Sequence, residues 1–215
     1  MNFATPVWDM GAFVWINQTA RHGLLDAVMP VLSQQVWLWL LLGATVTAML
    51  VRAGARGLLP LLCILLAVGV ADLSTSMLKD IFGRVRPLNA LAETYHLEDH
   101  GWDRRSAAFR QTEDRGSSFP SAHAANSMVV AVLLMACRRE LRPWMLFLPL
   151  LVGYSRVYLG KHYPSDILAG WLFGLVLAMA FTPLLMRVRD WARRGPERTL
   201  RLSVLREALL PEMRH

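Results

Sequence analysis

Two long apolar stretches, 58–78 and 167–186, constrain this chain more than any other feature. The hydrocarbon core of a bilayer is about 30 Å thick, and about 20 helical residues cross it. A helix satisfies its own backbone there, which an isolated strand cannot do. Three further apolar runs, 36–51, 122–137 and 144–157, are shorter and must use flanking residues or a thinned bilayer. The 215 residues are 54% hydrophobic and only 18% charged, which excludes a disordered chain and argues against a soluble domain. The expected fold is all-α: an integral membrane helical bundle of about five transmembrane helices.

Arginine sets the orientation. Arg52 and Arg56 follow the first run, Arg138, Arg139 and Arg142 separate the third from the fourth, and Arg187, Arg189, Arg193 and Arg194 follow the fifth. With five spans these clusters share one side, which the positive-inside rule makes the cytoplasm. The opposite side then carries the N-terminus and the 79–121 and 156–166 connections. Residues 1–34 read as two short amphipathic helices broken near 19–23, lying in the outer interface with Trp8 and Trp15 at headgroup level. A sixth span is the rival reading of this segment. The organisation expected is thus an interfacial segment 1–34, a transmembrane domain 35–194 with a periplasmic active-site loop 79–121, and a basic cytoplasmic tail 195–215. The first 20 residues carry Asp9 and no basic residue, so no cleaved signal is expected. Two cysteines, Cys63 and Cys137, offer neither a disulfide framework nor a thiolate metal cluster.

Three clusters of reactive residues fall at one predicted membrane face: 79–87 with Lys79, Arg84 and Arg86; 118–123 with Ser118, Pro120, Ser121 and His123; and 155–166 with Arg156, Lys161, His162 and Asp166. Pro164 suits the first turn of a helix, which puts Asp166 in that turn and within reach of His162 four residues earlier. An acid holding one imidazole nitrogen leaves the other free and basic, the base–orienter pair of nucleophilic catalysis. Gly160 lets the chain turn ahead of this histidine. Pro120 marks a second helix start, with Ser118 as the expected N-cap and the amides of Ser121, Ala122 and His123 left open to an anion. Arg86 and Arg156 offer forked contacts to phosphate oxygens, and Lys79 a point charge. Each cluster alone has a structural explanation: interfacial cations, a helix cap, a packed histidine, a structural His–Asp pair. Their joint occurrence is what points to chemistry on a phosphate.

The pattern Lys79-x6-Arg86-Pro87, then Pro120-Ser121-Ala122-His123, then Ser155-Arg156-x5-His162-x3-Asp166 resembles the type 2 phosphatidic acid phosphatase superfamily, over about 36–186. Ala122 stands where that family commonly has glycine, and it keeps the backbone amide. The resemblance implies that Lys79, Arg86, Ser121, Ala122 and Arg156 hold the phosphate. It also implies that His162 attacks phosphorus, Asp166 orients His162, and His123 protonates the leaving oxygen and then helps activate water. No metal and no cofactor is expected.

The expected function is a metal-independent membrane lipid phosphatase in a bacterial inner membrane, its site facing the periplasm. Undecaprenyl diphosphate is the first choice of substrate, followed by phosphatidylglycerophosphate, phosphatidic acid and lipid A phosphates. The partners expected are the lipid phosphate and the bilayer, with no nucleic acid and no obligate protein partner. A phosphotransferase with the same site is the alternative enzyme. A transporter would want more polar residues at mid-membrane. A haem carrier would want histidines facing one another within spans.

Overall fold

The computed structural model describes residues 5–34, 54–111, 113–137 and 142–209, with the isolated positions 44, 47, 50 and 51, and describes side chains up to residue 194. The apolar run 36–51 therefore lies outside the described residues except at four positions. The chain begins with helix α1 (Val7–Val14), a π-helical turn (Trp15–Thr19) and helix α2 (Gly23–Ser33). The interruption falls at 20–22, where the sequence places it. Helix α3 (Leu58–Phe82) follows, then a short turn of helix at Pro87–Ala90 and a two-stranded hairpin, β1 (Tyr95–Glu98) and β2 (Gly101–Arg104). Helices α4 (Ala122–Cys137), α5 (Phe147–Tyr158) and α6 (Pro164–Leu209) complete the described fold.

Among the described residues, two helices are long and apolar enough to cross a membrane: α3, and α6 over Pro164–Arg194. They correspond to the two stretches that dominate the sequence. The third and fourth runs form helices of 16 and 12 residues, shorter than a full span. Along α3 and α6, Leu66, Leu73, Leu172 and Val176 are each more than half exposed. An apolar belt of this kind is a liability in water and a natural surface in lipid. Helix α6 has 46 residues, about 69 Å at about 1.5 Å per residue, so it outruns the bilayer. The segment expected as a separate tail is helical through Leu209 and continues α6 directly.

Small residues decide how the helices meet. A Cβ on Gly170 would lie 2.5 Å from the Ser121 carbonyl oxygen, and one on Gly174 would lie 2.4 Å from that of Ala125. The glycines, four apart on one face of α6, let its backbone touch that of α4, as small residues do between helices in lipid. Farther along the same contact Ala67, Ala71, Val129, Leu133, Ala178 and Leu185 form one buried cluster with α3. A second cluster, Phe13, Ala124, Val157, Tyr163 and Ile167, joins α1 to the ends of α4, α5 and α6.

Two features depart from the expected architecture. The 79–121 connection contains the antiparallel hairpin, with His96 opposite Asp103 and Leu97 opposite Trp102, so the described fold is mostly rather than wholly helical. The N-terminal segment is also more than a surface decoration. Asp9, Phe13 and Asn17, spaced by four, are all fully buried, while Val7, Trp8 and Trp15 point outward. The Asn17 side chain bonds both N and O of Tyr95 and the carbonyl of Tyr158, tying the hairpin to the end of α5.

Candidate active site

Backbone hydrogen bonds knit the three motifs into one surface. Ser118 N donates to Arg84 O at 2.9 Å, Leu88 N to Gly160 O at 3.1 Å, and Ser121 N to Asp166 O at 3.0 Å. Gly160 sits at φ +70°, and a Cβ there would lie 2.8 Å from the Tyr95 carbonyl oxygen. Only glycine turns the chain here without collision, and the next two residues are Lys161 and His162.

His162 is almost wholly buried. Its Nδ1 lies 2.8 Å from the Ser118 carbonyl oxygen and 3.6 Å from Asp166 Oδ2. A carbonyl can only accept, so Nδ1 carries the proton and Nε2 keeps the lone pair. The Ser118 carbonyl is the nearest partner of Nδ1, and the Asp166 carboxylate, the orienting partner the sequence suggests, lies just beyond it. Its Oδ2 accepts from Ser118 Oγ at 2.6 Å and from Tyr163 N at 2.8 Å, and so fixes the residues that frame the imidazole. Burial holds His162 far below the ordinary histidine range, at about 4; the Asp166 carboxylate pulls against burial, and Arg156 and Arg86 push with it. The ring is neutral, hence nucleophilic, at neutral pH.

The second motif is assembled differently from expectation. Ser118 does not cap a helix. The helix begins at Ala122, and Ser121 Oγ accepts from Ala124 N at 3.4 Å, which makes Ser121 the cap. The Ser121 amide is already committed to Asp166 O, and Ser121 is fully buried. Of the three amides expected to face an anion, that of Ser121 is taken. His123, on the first turn of α4, lies within the combined field of Arg156, His162, Lys79 and Arg86. The structure thus brings both histidines and three cations to one place.

These cations are half-buried and incompletely paired. Arg86 Nη2 donates to Ser117 Oγ at 3.2 Å, and Arg156 Nη1 to Ser33 Oγ. The buried Nε donors of Arg86 and Arg156 have no partner among the described residues. Burial lowers the pKa of neighbouring Lys161, and Arg156 and Arg86 lower it further. Half-buried like charges with unmade hydrogen bonds form a natural site for an anion. A cleft of about 630 Å³ opens beside the first motif, lined by Lys79, Gly83, Glu113, Arg115 and Ser117 among others and by neither histidine. One group of metal-ligand type, His96, Glu98 and Asp103, lies on the hairpin outside the motifs.

A buried ion pair lies behind this site. Arg84, which the sequence leaves open as an interfacial cation or a member of the first cluster, is 2% exposed and bridges two fully buried carboxylates. Its Nη1 reaches Asp166 Oδ1 at 2.5 Å and its Nη2 reaches Asp9 Oδ2 at 2.6 Å. Its guanidinium also lies over the Tyr163 ring, 4.0 Å from the centroid. A lone acid on an apolar helix was the signal available, since such residues are costly in a membrane and seldom idle.

A buried imidazole with a fixed tautomer, a second histidine and a set of underpaired cations make a site of the class that handles phosphate groups, at the end of a helical bundle. The PAP2 superfamily model matches residues 60–190, and the chain belongs to that phosphatase family. An undecaprenyl-diphosphatase of Sulfolobus acidocaldarius is 31% identical over 166 residues, covering 74% of this chain and 68% of that protein. The fold resembles that of LpxE from Aquifex aeolicus at a TM-score of 0.64, with 23% identity over 84% of this chain and 98% of that one. It also resembles a transmembrane PAP2-type phosphatidylglycerolphosphate phosphatase from Bacillus subtilis at a TM-score of 0.58, with 26% identity over 85% and 88% of the two chains.

Proposed function

We propose that this chain hydrolyses a lipid phosphate or diphosphate through a phosphohistidine on His162. The observation that carries this reading is the His162 ring: Nδ1–H is held by the Ser118 carbonyl, Nε2 is left with its lone pair, and Arg156, Arg86 and His123 are near enough to interact electrostatically with the ring. Nε2 attacks phosphorus while the bond to the leaving oxygen breaks, and His123 gives that oxygen a proton. Water then attacks the phosphohistidine and gives a proton back to His123. Inorganic phosphate leaves and the imidazole is restored. Lys79, Arg86 and Arg156 hold the equatorial oxygens and oppose the charge that develops on them, with the free amides of Ala122 and His123 at the start of α4. Cations thus fill the place a divalent metal takes in other phosphoryl transfers, so EDTA should leave the rate unchanged.

Undecaprenyl diphosphate remains the preferred substrate, and the Sulfolobus relative's name supports it. Phosphatidylglycerophosphate follows, supported by the Bacillus structure. Much of the 79–121 loop is already engaged within the fold. Arg104 pairs with Glu93, Arg105 Nε donates to Leu88 O, and Trp102 Nε1 donates to Asp26 O. Headgroup selection therefore falls to the residues around the cleft, with Arg115 and Glu113 on its wall.

The site is placed at the outer face of a bacterial inner membrane, on the arginine distribution. Phosphate release by detergent-purified protein, over a panel of these lipids with EDTA present, tests the chemistry. Release that stops in EDTA and resumes with Mg²⁺ would overturn the mechanism, and phosphate moved onto a second lipid would make the enzyme a transferase. Reporter fusions within 95–110 should read periplasmic and fusions after Arg139 cytoplasmic.

A further inference from the structure

The family match begins at residue 60, yet the helix at 7–14 supplies a carboxylate to the buried centre. We propose that Asp9 is a positioning residue for the phosphoryl-transfer step, acting through Arg84 on Asp166 and thereby on His162. This rests on His162 being the nucleophile, as argued above.

The geometry is a relay of three charges. Arg84 spends Nη1 on Asp166 Oδ1 at 2.5 Å and on Ser165 Oγ at 2.7 Å, and Nη2 on Asp9 Oδ2 at 2.6 Å and Thr5 Oγ1 at 3.1 Å. Asp9 is itself pinned: its Oδ1 accepts from Ser165 N at 2.8 Å and its Oδ2 from Ser165 Oγ at 2.5 Å. Ser165 directly precedes Asp166, so Asp9 also holds the start of α6 that carries the acid.

Charge balance explains why a second acid is present. An arginine paired with Asp166 alone would neutralise it, leaving no net negative charge to stabilise the imidazolium that forms when His162 attacks. Asp9 takes half of the guanidinium. The group Asp9, Arg84 and Asp166 then carries one net negative charge beside His162. The other charged groups acting on the ring are Arg156 of α5 and Arg86 of the first motif, both cationic; His123 of α4 is the neighbouring titratable group. Among the described residues acting on His162, Asp166 at the end of this relay is the negative one, in a place too dry for water to screen it.

The test is a charge series in the full-length, detergent-purified protein: Asp9→Asn, Arg84→Gln and the double variant. The readouts are kcat, KM and the pH profile of kcat/KM for p-nitrophenyl phosphate, whose acid limb reports the free nucleophile. Asp9→Asn removes a negative charge, so kcat should fall about tenfold or more with KM little changed, and the acid limb should move to lower pH. Arg84→Gln removes a positive charge and should move the limb to higher pH. The double variant should return it towards wild type and show a higher kcat than Asp9→Asn. A purely structural role predicts no such opposition of signs and a double variant worse than either single. Shifts in one direction for both single variants, or none, overturn the proposal. If Asp9→Asn does not fold, a downward move of the limb from Arg84→Gln to the double variant decides, and no move overturns it. A wild-type enzyme that releases no phosphate, or an active His162→Ala, would instead overturn the underlying phosphohistidine reading.

Discussion

The two halves of the site are built on opposite principles. On the side of the proposed nucleophile, His162, Asp166, Arg84 and Asp9 are each at least 97% buried, and their side chains are bonded to one another or to the backbone around them. On the phosphate side, Lys79, Arg86, His123 and Arg156 are half-buried, and two arginines keep buried donors without partners among the described residues. On the proposed mechanism the first half is finished before substrate arrives, and the second is completed by it. Pre-organisation is thus concentrated where a bond must form, while the binding half keeps the unmet hydrogen bonds that a phosphate satisfies.

The sharpest way to break this contrast is to remove the nucleophile. His162→Ala should abolish turnover of every substrate and the acid-labile phosphoenzyme in a quenched reaction; residual hydrolysis of p-nitrophenyl phosphate at a substantial rate would dissolve the distinction. His123→Ala should cost about 10²–10⁴-fold on a lipid monophosphate, whose alkoxide needs a proton, and markedly less on p-nitrophenyl phosphate or a diphosphate. Steady-state kinetics on the three substrates would show it. On the binding side, Arg156→Lys keeps the charge and loses the fork. It should weaken inhibition by inorganic phosphate about tenfold while leaving the melting temperature nearly unchanged. The smallest effect is on stability. The unfolded chain protonates His162 near pH 6.5 and the folded one only near 4, so between these values the unfolded state binds the extra proton. Stability should fall as pH drops through this window, by on the order of 1 kcal/mol per pH unit. Thermal melts of wild type against His162→Asn would isolate that slope.

What the sequence disclosed follows the same division. The phosphate-side residues and His162 lie in short motifs whose internal spacing can be read along the chain. The spans of α3 and α6 were legible because about 20 apolar residues have few other uses. Arg84 and Asp9 were not legible as a pair, since 75 residues separate them and nothing local distinguishes a buried ion pair from two interfacial charges. The Ser118 hydroxyl was misassigned for a related reason: a serine two residues before a proline reads as a cap, and only the fold shows it turned to Asp166. The hairpin escaped because its strands have four residues each and carry charge at Glu98, Asp103 and Arg104, which masks any alternation.

The contact between Gly170 and the Ser121 carbonyl sets a fixed gauge. Ser121 is two residues from His123, and Gly170 lies four past Asp166, so the backbone contact ties the helix end bearing His123, the proposed acid–base, to the one bearing Asp166 and, just ahead of it, the proposed nucleophile His162. A gauge set by touching main chains cannot be retuned by exchanging side chains. A methyl group at Gly170 should therefore spoil turnover for all substrates alike rather than redirect it from one to another.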